Sequence, residues 1–181
     1  MATETIQQKL AAAYDTLKDQ FAYKNPMQVP RLEKIVVATG VGKIEDKRKL
    51  ELIQDRLAKI TGQKAAPRPA RLSIATFKLR EGDIVGYQVT LRGARMRTFM
   101  DKLVNVALPQ TRDFRGLKVT AIDAMGNMTL GIKEHTIFPE TSDEDIKDVF
   151  GLAITIVTTA KTKAEAEALL RHLGLPLQKA E

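Results

Sequence analysis

Between Gln63 and Arg92 the chain carries Arg68, Arg71, Lys78, Arg80 and Arg92, with Gln63, Ser73, Thr76, Gln88 and Thr90 spaced among them. Cations neutralise phosphate charge, while amides and hydroxyls reach sugar hydroxyls and base edges; a nucleic acid offers both kinds of contact. Phe77 stands inside the cationic run and reads as an apolar anchor for the loop in preference to a platform for a base. Only 5% of the residues are aromatic, too few for a sheet that stacks rings on single strands. Backbone, 2′-hydroxyl and shape contacts with folded RNA are the expected chemistry.

Charge supports this reading. The chain has 181 residues, 29 Lys+Arg against 22 Asp+Glu, and a formal net charge of +7. Residues 61–120 hold 12 basic against 4 acidic side chains, whereas residues 121–181 hold 6 against 10. Positive charge concentrated in the middle third suggests a polyanion contact.

Other chemistries fail on composition or spacing. The chain has no cysteine, which removes disulfides, thiolate zinc sites, iron–sulfur clusters and a thiol nucleophile. His135 and His172 are far apart and lack carboxylates at metal-binding spacing, so no metal and no cofactor are expected. Gly40-Val41-Gly42-Lys43 has the setting of a phosphate loop. However, Val37 stands where its first glycine belongs, and Ile44 follows the lysine instead of Ser or Thr. A tight turn explains it better. Asp143, Glu144, Asp145 and Asp148 lack the calcium-loop pattern and read as an exposed acidic loop. His135 reads as a surface histidine, and no serine has a nucleophile's context. No catalytic residue is expected, and the chain is not read as an enzyme. The polar start and the lack of a long apolar run predict a soluble, cytoplasmic protein without membrane contact. Two rivals to RNA binding are a phosphoester-handling enzyme using the 40–43 turn and an adaptor whose basic face meets an acidic protein.

The positioning elements follow from periodicity. Ile6, Leu10, Tyr14, Leu17 and Phe21 share one helical stripe. Residues 32–38 read as a strand. Asp46 caps a second helix carrying Leu50, Ile53, Leu57 and Ile60, and Gly62 ends it. Residues 63–83 read as two short strand pieces flanking a long basic loop. Residues 84–92 alternate, with Val85, Tyr87, Val89 and Leu91 facing the core and Gly86, Gln88, Thr90 and Arg92 opposite. A third helix spans 94–108, with Met96, Phe99, Leu103, Val106 and Ala107 inward, and Pro109 ends it. Residues 117–122, 128–132 and 152–158 read as strands. Thr162 and Glu165 form a capping box before the last helix. This order predicts a single α+β domain over 1–181, with a mainly antiparallel or mixed sheet, helices packed on one face and a long basic loop.

Particular segments sharpen the reading. Ile60-Thr-Gly-Gln-Lys64, Ser73-Ile-Ala-Thr-Phe-Lys-Leu-Arg-Glu-Gly82 and Val89-Thr-Leu-Arg-Gly93 resemble the bacterial ribosomal L-five family. So do Tyr23-Lys-Asn-Pro-Met27, residues 29–36, Arg112-Asp-Phe-Arg-Gly116, Gly131-Ile-Lys-Glu134, Ile137-Phe-Pro-Glu140 and Ile154-Thr-Ile-Val-Thr-Thr-Ala-Lys161. The resemblance runs along essentially the whole chain. It implies a structural protein of the large ribosomal subunit that binds 5S ribosomal RNA in the central protuberance. It further implies contacts with large-subunit ribosomal RNA, the P-site tRNA and the small-subunit head protein S-thirteen, by a monomer within the ribosome. By similarity Lys34, Gln63 and Thr90 face 5S RNA, and Lys64, Gln88 and Arg92 join them. The loop with Arg68, Arg71, Ser73, Phe77, Lys78 and Arg80 faces tRNA. Arg95, Arg112 and Arg115 are further RNA or bridge candidates, as are the 109–116 connection and the acidic loop for the bridge. The family usually has Asn where Ala38 stands, so one hydrogen bond to 5S RNA is expected to be missing.

Overall fold

The computed structural model describes residues 5–44, 46–112, 114–141 and 149–178. Four helices longer than one turn are present among them: α1 (Ile6–Phe21), α2 (Lys47–Thr61), α3 (Gly93–Lys102) and α4 (Lys163–His172). Five strands, β1 (Leu32–Gly40), β2 (Ala66–Pro69), β3 (Ile84–Leu91), β4 (Met128–Ile132) and β5 (Leu152–Thr158), form one sheet. Its order is β2-β3-β1-β5-β4, and it is an open antiparallel sheet in an α+β domain. The chain divides into two compact units. One comprises Met1–Ile35, Arg92–Leu130 and Thr155–Glu181; the other comprises Val36–Leu91 and Gly131–Ile154.

In the first unit α1 packs on α3 and α4, burying Ile6, Ala13 and Leu17. The Asp101 carboxylate accepts the Ile6 N–H at 2.8 Å, satisfying an otherwise orphaned donor at the helix start. In the second unit α2 lies against β3 and buries Ile53, Leu57 and Ile60. Asp46 caps it by accepting the Arg48 N–H at 2.9 Å, and Gly62 closes it at φ +68°. Strand burial alternates along β1 and from Tyr87 to Leu91 on β3: Ile35, Val37, Thr39, Tyr87, Val89 and Leu91 are buried, while Lys34, Val36, Ala38, Gln88 and Thr90 are half-exposed; Val85, expected in the core, is only half-buried. Gly86 is buried because β1 passes close by. A Cβ there would stand 2.9 Å from the Thr39 carbonyl oxygen.

Several expectations need correction. Residues 117–122 are not a strand. Leu117 forms a parallel bridge with Leu177, and 119–121 make a 3₁₀ turn. The tail's Pro176 carbonyl and Gln178 N–H take the Leu117 backbone bonds, each at 2.8 Å. Pro109 does not end the third helix, which widens into a π turn over Leu103–Ala107 and continues to Gln110. The wider turn accommodates a proline ring that would otherwise meet the carbonyl four residues back. Val106 is only half-buried, and Met100 takes a fully buried place instead. His135 is not on the surface. It is fully buried, stacked on Phe150 at 4.1 Å, with Nδ1 accepting the Phe150 N–H at 3.3 Å. The capping box is half-formed: Thr162 accepts the Glu165 N–H, but the Glu165 carboxylate accepts the Lys161 N–H at 2.9 Å. Asp143, Glu144, Asp145 and Asp148 lie outside the described residues.

Candidate nucleic-acid interface

β3 presents Gln88 and Thr90 on the face opposite the α2-packed core. The β2–β3 register pairs Ala66 with Gln88 and Arg68 with Gly86, which sets Arg68 on that same face. The Arg68 Nε donates to Gln88 Oε1 at 2.7 Å. A guanidinium has five donors, so this bond aims the group and leaves most of its donors for a ligand. Thr90 is half-exposed, and its hydroxyl makes no hydrogen bond among the described residues. Gln63 follows the Gly62 cap and is half-buried, and Lys64 beside it is exposed. The second unit thus brings a fixed cation, an amide and a free hydroxyl onto one sheet face.

The segment between β2 and β3 is built, not slack. Ala70 donates to the Asp83 carbonyl at 2.8 Å and accepts the Gly82 N–H at 3.1 Å. Farther out, Ile74 and Leu79 exchange backbone bonds at 3.0 and 3.2 Å, and Ser73 Oγ accepts the Glu81 N–H at 2.9 Å. Lys78 takes a left-handed turn at φ +51°, a strained conformation for a non-glycine residue. Only one strand piece, β2, precedes the loop; the second expected piece reduces to the Ile74–Leu79 bridge. Phe77 does not anchor the loop to the core: it is 75% exposed, and Leu72 is 72% exposed. With Arg71, Lys78 and Arg80 also exposed, the loop offers apolar surface edged by cations.

Beneath the loop lies a cleft of about 780 Å³ lined by Gly42, Lys43, Lys47, Phe77, Lys78 and Tyr87. The glycine turn at its edge closes with the Ile44 N–H on the Val41 carbonyl at 2.9 Å, an ordinary strand-to-helix turn. Burial, then the charge of Glu51, pushes the Tyr87 phenol up. Among the described residues no group of three His, Cys, Asp or Glu is placed to hold a metal ion.

The remaining candidates lie in the first unit. Lys34 is half-exposed on β1, with Nζ 3.8 Å from Glu33 Oε1, a weak surface pair. Arg92 is the exposed N-cap residue of α3, and Arg95 follows on its first turn. Arg112 and Arg115 are exposed in the connection after α3, where the Arg115 carbonyl accepts Gln178 Nε2 at 3.2 Å. Thr129 on β4 and Thr155 on β5 join their hydroxyls at 3.1 Å on an exposed face. Among the described residues no helix is long and apolar enough to cross a membrane.

Residues 25–80 match the family described as "Ribosomal protein L5", and residues 84–177 match the model of the C-terminus of the same ribosomal family. The large ribosomal subunit protein uL5 of Rubrobacter xylanophilus is 55% identical over 163 residues, 90% of this chain and 91% of the relative. Those of Flavobacterium johnsoniae and Ureaplasma parvum are each 50% identical over 164 residues, 90% of this chain and 90% and 89% of theirs. With matches on both halves and half its residues shared with proteins of that name, the chain belongs to the ribosomal protein L5 family.

Proposed function

We propose that this protein is a non-enzymatic structural component of the large ribosomal subunit that binds 5S ribosomal RNA and helps attach it in the central protuberance. It works there as a single domain and a monomer within the cytoplasmic ribosome. The carrying observation is the β3 face: a free Thr90 hydroxyl beside Gln88, which aims the Arg68 guanidinium. Such groups suit the 2′-hydroxyls and phosphates of a folded RNA. Gln63 and Lys64, in the same unit, add to this contact; Lys34 and Arg92, in the first unit, are separate candidates for meeting 5S RNA.

The 68–80 loop reaches P-site tRNA, with Arg71, Lys78 and Arg80 on phosphates and Phe77 against an unstacked base; Ser73 holds the loop's shape. Large-subunit ribosomal RNA and the small-subunit head protein S-thirteen meet the remaining surface, with Arg95, Arg112 and Arg115 as candidates. The test is affinity for 5S RNA in Thr90→Ala and Gln88→Ala variants that keep the wild-type melting temperature. Weaker 5S binding is expected in both. Unchanged affinity in both removes the β3 face from the interface.

A further inference from the structure

Two of the segments that resemble the family, 23–27 and 154–161, have no partner in the account above, yet they meet in the first unit. The chain leaves α1 through Ala22, left-handed at φ +52°, which turns Tyr23 back to stack on Phe21 at 5.7 Å. Asn25 then caps a 3₁₀ turn, accepting the Met27 N–H at 2.9 Å, while Gln28 accepts the Lys24 N–H at 2.9 Å. This fixed turn leaves Met27 79% exposed. Arg31 is tied to the far segment at both ends of its backbone: its N–H donates to Thr159 Oγ1 and its carbonyl accepts the Thr159 N–H, each at 3.0 Å.

The result is a cleft of about 530 Å³ whose lining includes Phe21, Tyr23, Met27, Arg31, Lys161 and Glu165. Its chemistry is mixed in an informative way. Among the described residues the charged ends of Arg31 and Lys161 form no ion pair. Glu165 spends one acceptor site on the Lys161 N–H, and a carboxylate has about four. The buried Tyr23 Oη has no hydrogen-bond partner. It feels the Glu165 charge without a well-placed bond, and burial together with that charge pushes its pKa up to about 12.

We propose that this cleft receives one unstacked guanine nucleotide of ribosomal RNA. The base lies on the wall of Phe21, Tyr23 and Met27, its N1–H and 2-amino group donate to Glu165, and Arg31 and Lys161 take the flanking phosphates. An unpaired base read on its Watson–Crick edge and stacked on aromatic groups is how proteins take sequence from RNA. An acceptor-only carboxylate favours the base with two adjacent donors; adenine, cytosine and uracil each present one donor group on that edge. The inference rests on the reading of the chain as an RNA-binding protein.

The test uses the full chain with ¹³C-labelled methionine methyls and the trinucleotides 5′-UGU-3′, 5′-UAU-3′ and 5′-UCU-3′. The Met27 methyl is expected to shift saturably, with UGU binding about fivefold tighter or more than the other two. Met125, which is 71% exposed and lies outside the cleft, should stay still. Glu165→Gln should bring the three trinucleotides within about twofold of one another, and Arg31→Ala should weaken all of them. No shift at Met27, or equal affinities in the wild type, overturns the inference. If Thr90-dependent 5S binding persists in the same preparation, the failure belongs to the cleft and not to the RNA-binding reading.

Discussion

β3 and the loop that precedes it belong to one unit and adjoin in sequence, yet they hold their polar groups in opposite ways. On β3 the ladder fixes each residue, neighbours half-cover Gln88 and Thr90, and Gln88 holds the Arg68 guanidinium. Little conformational freedom is left to lose on binding, so neutral hydrogen bonds there become selective. The loop has a fixed backbone but free side chains: Arg71, Phe77, Lys78 and Arg80 all stand in solvent. On the proposed reading its contacts with RNA are charge and stacking, which salt weakens and which most RNAs can satisfy. Backbone order and side-chain order are separate properties, and selectivity follows the second.

The sharpest way to break the comparison is Gly86→Ala. The new Cβ would stand 2.9 Å from the Thr39 carbonyl oxygen, backbone that cannot swing aside. Forcing it in should cost about 2 kcal/mol, roughly 4–8 °C in melting temperature. Binding to 5S RNA should fall with it, because β3 must shift. Calorimetry beside 5S titration checks this; an unchanged melting temperature would mean that the β1–β3 approach is looser than described.

Phe77→Ala should leave stability alone and weaken tRNA binding about tenfold, the loss of one stacked base. A filter-binding titration reads it, and 5S affinity should not move. Thr90→Ala should do the reverse, lowering 5S affinity about fivefold for one hydrogen bond while sparing tRNA. Equal losses for both RNAs in either variant would merge the two surfaces into one. The smallest effect is expected from Arg71→Ala. Its log–log salt slope for tRNA should flatten by about one phosphate contact.

Local rules made much of this legible. Asp46 and Gly62 mark both ends of α2, and the alternation through 84–92 sets Gln88 and Thr90 opposite the core. The α+β sheet with helices on one face and a basic loop follows from such patterns. What local patterns could not carry was contact at a distance. Leu117 looks like the start of a strand but spends its bonds on the tail around Leu177. His135 looks polar and exposed, yet Phe150, fifteen residues on, buries it. Phe77 departs from expectation for the converse reason: an apolar residue predicts burial only when something is available to cover it. The cleft at Arg31 and Lys161 was equally hidden, since nothing between residues 31 and 159 signals that they touch.

The most direct measurement is the affinity of the purified protein for 5S RNA and for a tRNA of similar charge density, at low and raised salt, with Thr90→Ala alongside. The account predicts that tRNA binding collapses with salt while a preference for 5S persists, and that Thr90→Ala removes much of that preference. Equal affinities falling together with salt, untouched by the substitution, would contradict it and reduce the β3 face to one more part of a basic surface.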